Sequence, residues 1–122
     1  MARFVYTNLN PVGIHEDDCV TRAITLASGE DYFTIRKKLQ LTAQLLDCPE
    51  LCVCCYNFLI EKVLQCRQVD CEGLSVEDFA DLHPYGVYLV RIDGHLTCVI
   101  DDGVYDIWDC RDELATNAWI VD

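Results

Sequence analysis

The sequence predicts an α+β fold, with N-terminal helices packed on a C-terminal antiparallel sheet. Three observations carry this expectation. Apolar residues recur at helical spacing between residues 19 and 66. From Val87 onward the chain changes to short β-branched and aromatic runs separated by Asp-Gly pairs. Helices first and strands second is the order expected of a segregated α+β domain. A length of 122 residues with 52% hydrophobic content allows one domain, 1–122, with a core of its own.

Arg3 to Thr7 alternates enough for a short edge strand, and Asn8-Leu9-Asn10-Pro11-Val12-Gly13 is a loop on composition. Cys19 to Ser28 is the first helix, with Asp18 as N-cap and Gly29 just past its end. Asp31 to Leu46 is the second, with Tyr32, Ile35, Leu39, Leu41, Leu45 and Leu46 near the 3.6 period. Leu51 to Cys66 is the third, with Phe58, Leu59, Val63 and Leu64 apolar. Ser75-Val76-Glu77-Asp78 opens a short helix that Pro84 stops. Val87–Ile92, His95–Ile100, Val104–Trp108 and Ala118–Val121 are strands. An Asp93-Gly94 turn and an Asp101-Asp102-Gly103 turn separate the first three, the second drawing on glycine for positive φ. Tyr56, Phe58 and Trp119 are expected in the core.

Nine Lys and Arg against 21 Asp and Glu give 9 − 21 = −12. A surface this acidic repels phosphate backbones and anionic lipid, so neither nucleic acid nor a membrane is an expected partner. No apolar run approaches the ~20 residues of a membrane span, and residues 1–8 lack the apolar core of a secretion signal. The expected compartment is the cytoplasm. The sequence does not indicate an oligomeric state.

Six of the nine cysteines fall at Cys48, Cys52, Cys54, Cys55, Cys66 and Cys71. In a reducing compartment they are expected to be buried thiols. Their spacing fits no zinc finger or ribbon, so no cofactor and no metal are expected. A metal site and disulfides are the alternatives.

Cys19 stands where the first helix opens, His95 at the start of a strand, and Asp106 on the following strand. A cysteine at a helix N-terminus is favoured as a thiolate. A histidine can accept its proton, and a carboxylate can fix the histidine's tautomer. The first-turn amides, including the Cys19 N–H, can hold an oxyanion. Glu16, Asp17 and Asp18 oppose thiolate formation, and Arg22 is placed to pair with Asp18 at i, i+4. The hairpin register leaves the acid open. A two-residue turn at Asp102-Gly103 puts Asp106 on the face of His95, four positions from the directly opposed residue. A three-residue turn puts Asp109 opposite His95 instead.

At these residues the chain resembles the papain-like cysteine peptidase superfamily, and within it small peptidase-like proteins of bacteria and their phages. Asp18-Cys19-Val20-Thr21-Arg22-Ala23 is similar to the nucleophile motif of peptidases that trim bacteriocin leaders. Gly86-Val87-Tyr88-Leu89-Val90 with Gly94-His95 resembles the strand pair carrying their histidine. Asp102-Gly103-Val104-Tyr105-Asp106-Ile107-Trp108-Asp109 resembles the strand carrying their acid. The separation of 11 residues from His95 to Asp106 and the placing of Trp108 two residues after Asp106 fit the same pattern. The likeness covers roughly residues 8–25 and 84–110.

The resemblance implies a papain-like fold and a cysteine hydrolase acting on a peptide or amide bond of a protein or peptide substrate. Cys19, His95 and Asp106 would be its triad, with Asp109 the other candidate acid. Gly94 and Trp108 would flank the substrate, the tryptophan shielding the acid. The family's oxyanion glutamine, about six residues before the cysteine, is replaced here by Gly13. Asn10 is the first candidate to stand in for it, before Asn8 and His15. The missing glutamine and the acidic charge also suit a non-enzymatic acidic binding or inhibitor protein on a peptidase-like fold, carried by a phage or mobile element.

Overall fold

In the computed structural model, the described residues are 2–13, 18–50 and 52–121. Among them six strands form one sheet: β1 (Arg3–Tyr6), β2 (Arg67–Val69), β3 (Val87–Ile92), β4 (His95–Ile100), β5 (Gly103–Asp106) and β6 (Asn117–Val121). Their spatial order is β1-β5-β4-β3-β6-β2. The sheet is mixed. β1 runs parallel to β5 and the other pairs are antiparallel. This corrects the expectation of an antiparallel sheet in two respects: β1, expected as an edge strand, pairs in parallel, and β2 adds an unexpected strand at the opposite edge.

The first helix, α1 (Cys19–Ser28), has the expected bounds, and Gly29 ends it in the left-handed conformation. Asp31 caps α2 (Tyr32–Leu46), its carboxylate accepting from the N–H groups of Phe33 and Thr34. The expected third helix is broken. Its start at Leu51 lies outside the described residues. From Val53 to Phe58 it is α-helical (α3), and over Leu59–Val63 it widens into a π turn. There the Leu64 N–H bonds to the Leu59 carbonyl at 2.9 Å, five residues back. Gln65 leaves with φ 57, and β2 follows. The last helix, α4 (Val76–Leu82), is capped by Ser75, whose hydroxyl accepts from the Asp78 N–H.

Helices α1, α2 and α3 cover one face of the sheet, where Ile24, Ile35, Leu59, Leu89, Leu96, Cys98 and Trp119 are buried together. Tyr56 belongs to this core, while Phe58 is only half-buried. α4 covers the other face, with Phe79, Val90, Val99 and Val104. Burial on both faces explains why β3 reads as a nearly continuous apolar run.

The β4–β5 register pairs Ile100 with Gly103 and Val99 with Val104. The turn is therefore Asp101-Asp102, and it is Asp101 that takes positive φ, at 53°. Gly103 belongs to the strand and serves closeness: a Cβ there would stand 2.7 Å from the Tyr105 ring. The expected glycine turn is corrected accordingly. Neither hairpin register weighed from the sequence is the one formed.

Candidate functional site

β4 begins at His95 and β5 ends at Asp106, so both residues lie at the open end of their hairpin. Extending the register sets Asp106 diagonally across from His95 on one face. The imidazole Nε2–H donates to Asp106 Oδ2 at 2.5 Å. Asp106 Oδ1 accepts from the backbone N–H of Ile107 at 2.7 Å and of Trp108 at 3.4 Å. Asp109 is turned away and held by Arg111, with contacts of 2.8 Å from both Nε and Nη2.

The start of α1 abuts this end of the sheet. The Cys19 thiol lies close enough to His95 to favour its protonated form. Three residues on, on the same helix face, Arg22 Nη1 reaches Asp106 Oδ1 at 3.5 Å. The structure thus brings Cys19, His95 and Asp106 together and adds Arg22. Cys19 is 8% exposed and Asp106 4%.

Asp18 does not cap α1. Its carboxylate accepts from Arg22 Nε at 2.6 Å, the Tyr32 hydroxyl at 2.8 Å and Asn10 Nδ2 at 3.1 Å. The expected Asp18–Arg22 pair is present, and the cap is not. The N–H groups of the first turn of α1 consequently receive no side-chain cap from Asp18. Asn10, the expected oxyanion donor, directs its amide to Asp18 and accepts from the Val12 N–H. His15, Glu16 and Asp17 lie outside the described residues.

Burial alone would push His95 toward its neutral form. Its interactions with Asp106, Cys110 and Cys19 outweigh that and hold its pKa up at about 11. Burial works in the opposite sense on Asp106, and the His95 bond outweighs it, leaving the carboxyl below the usual carboxylate value. Asp18 is likewise lowered: burial opposes ionisation, and the bonds from Arg22, Tyr32 and Asn10 win. Burial and the bond to Asp18 raise Tyr32 to about 12. At neutral pH the site therefore holds an imidazolium, a guanidinium and two carboxylates.

Gly94 sits in the turn before His95 at φ 72, with nothing within 4 Å of where a Cβ would be. The Trp108 ring meets the imidazole edge-on at 5.0 Å and is 45% exposed. A crevice of about 10 Å³ lies beside Cys19, Arg22, Leu96 and Asp106, room for one water-sized group. A larger cavity of about 230 Å³ opens at the other end of α1, beside Ser28, Leu64 and Cys66, away from these groups.

The sequence reading missed three participants. Arg22 was paired only with Asp18, because its second partner lies 84 positions away. Tyr32 looked like core. Cys110 is fully buried with its sulfur 3.9 Å from Asp106 Oδ2, and its only sequence signal is its place four residues after Asp106.

Among the described residues, two sets of side chains have ligand atoms within 4.8 Å of one another: His95, Asp106 and Cys110, and separately Cys48, Cys52 and Cys54. In the first, the carboxylate is already bonded to an imidazolium and faces a guanidinium, which disfavours a cation. Comparison with family models, with curated proteins and with solved structures found no match.

Proposed function

We propose that the protein is a cysteine hydrolase of papain-like architecture that cleaves a peptide or amide bond. The observation that carries this reading is the convergence of the Cys19 thiol and the Asp106 carboxylate on one imidazole. With Nε2 held by Asp106, Nδ1 is the nitrogen that exchanges a proton with Cys19. The Cys19 sulfur attacks the carbonyl carbon, forming the S–C bond. The first-turn N–H groups of α1, Cys19 among them, receive the oxyanion. His95 gives its proton to the departing amine as the C–N bond breaks. Water, deprotonated by His95, then hydrolyses the thioester, and the cycle closes on the thiolate–imidazolium pair from which the attack began. Trp108 shields the imidazole on one side, and Gly94 leaves room for a substrate backbone on another.

A thiol-directed activity probe with an acyl electrophile tests this reading. Covalent labelling at Cys19 is expected, to drop at least tenfold in His95→Ala and to vanish in Cys19→Ala. Labelling at other cysteines only, unchanged by either substitution, would sink the proposal.

A second reading is a binding protein of acidic surface. It is favoured by the burial of Cys19 and the small crevice beside it, together with the net charge of −12. A stoichiometric basic protein partner whose binding survives Cys19→Ala, with no probe labelling, would establish it in place of the first.

A further inference from the structure

Four of the nine cysteines meet around the junction of α2 and α3. The Sγ atoms of Cys48, Cys52 and Cys54 lie within 4.8 Å of one another, and Cys52 and Cys54 approach to 2.8 Å. That separation is inside ordinary sulfur contact yet well beyond the ~2.05 Å of a disulfide. Cys55 stands behind them, its thiol bonded to the Leu39 carbonyl at 3.6 Å and against Cys48.

Core packing accounts for Cys55, Cys71, Cys98 and Cys110, which are buried. It does not account for Cys54, which is exposed, and accounts only in part for Cys48 and Cys52, which are half-exposed at the edge of the core. The connecting loop is closed by its own backbone. Asp47 takes φ 52 at the end of α2, the Cys48 N–H bonds to the Ala43 carbonyl at 3.0 Å, and the Cys52 N–H bonds to the Pro49 carbonyl at 3.0 Å. Three sulfurs are therefore aimed at one point by a short, hydrogen-bonded turn. A pairwise bridge needs two of them; a metal ion uses all three. The local charge has one sign. Asp47 and Glu50 flank the thiols, and no Lys, Arg or His occurs between Lys38 and Lys62.

We propose that Cys48, Cys52 and Cys54 form a surface site for one thiophilic, filled-shell metal ion, Zn²⁺ in the first instance. Three thiolates supply the protein ligands, and the fourth position faces solvent beside the exposed Cys54. Binding releases the thiol protons and ties the end of α2 to the start of α3. The site is separate from Cys19, so its failure would leave the hydrolase reading untouched.

The test uses the full chain, purified under reducing conditions with zinc supplied. About one equivalent of zinc per chain is expected by mass spectrometry, falling at least tenfold in the triple variant Cys48→Ser, Cys52→Ser, Cys54→Ser. Co²⁺ titration should give intense thiolate-to-metal absorption in the native chain and in Cys71→Ser, and none in the triple variant. Three outcomes would overturn the proposal. One is a reduced native chain that takes up neither metal. Another is metal retained by the triple variant. The last is a Cys52–Cys54 disulfide that persists under reduction and blocks uptake.

Discussion

Arg22 on α1 donates from Nη1 to Asp106 at the end of β5, 84 positions away and 3.5 Å distant. The same guanidinium donates from Nε to Asp18 at 2.6 Å. All three side chains are less than 10% exposed. One planar cation thus holds the helix that carries Cys19 against the strand that carries the partner of His95.

Removing that cation leaves two buried carboxylates short of a partner. Arg22→Met is expected to destabilise by about 3–5 kcal/mol, the range for breaking a buried pair from one side. Arg22→Lys should recover only part of this, since a point charge cannot span two carboxylates as a fork does. Urea denaturation checks both. A loss below about 1 kcal/mol in Arg22→Met would show that the bridge does not hold the two elements together.

Stability should vary with pH in a stated sense. His95 rises from 6.5 to about 11 on folding. Its contribution is full below about 6.5, falls across the interval to about 11, and is gone above it. Asp18 and Asp106 are depressed from 3.8. Their contribution is present above that value and is lost as pH falls below it. Together these groups place the greatest stability between about pH 4 and 6.5. Thermal melts across pH 3 to 11 measure it. Asp106→Asn removes the charge that raises His95, so it should flatten the alkaline limb. An alkaline limb identical to that of the native chain would contradict the assignment.

Asp47 ends α2 in the left-handed conformation at φ 52. It also sets a negative charge at the negative end of the helix dipole. Asp47→Gly relieves both penalties at a position where glycine is the favoured residue. The expected gain is about 0.5–1.5 kcal/mol by chemical denaturation. A loss would mean that the Asp47 side chain makes a compensating bond.

Local signals made part of this structure legible. Cys19–Ser28 and Gly29 were readable because a helix and its stop are specified within a dozen residues. The turn at Asp93-Gly94 and the strands beside it were readable for the same reason. What escaped was non-local or minimal. β2 is three residues long and forms only by pairing with β6, some 50 positions later. The π turn at Leu59–Val63 keeps an apolar pattern that reads as continuous helix. At the site, Cys19, His95 and Asp106 could be singled out by residue type and by their elements. The roles of Arg22, Tyr32 and Cys110 depend on burial, which no spacing announces. The hairpin turn was misplaced because Gly103 looked like a turn residue, when its lack of a side chain is needed against Tyr105.

β1 and β5 pair in parallel, residues 3–6 against 103–106. On a ribosome the first of these strands emerges long before its neighbour exists, so it must wait, unpaired, while about a hundred further residues are added. The imidazole and carboxylate also arrive late, well after the thiol at position 19. A nascent polypeptide thus carries an unarmed sulfur. Any reactivity of that sulfur that depends on His95 switches on only when the closing hairpin zips beside the opening strand, which separates synthesis from action.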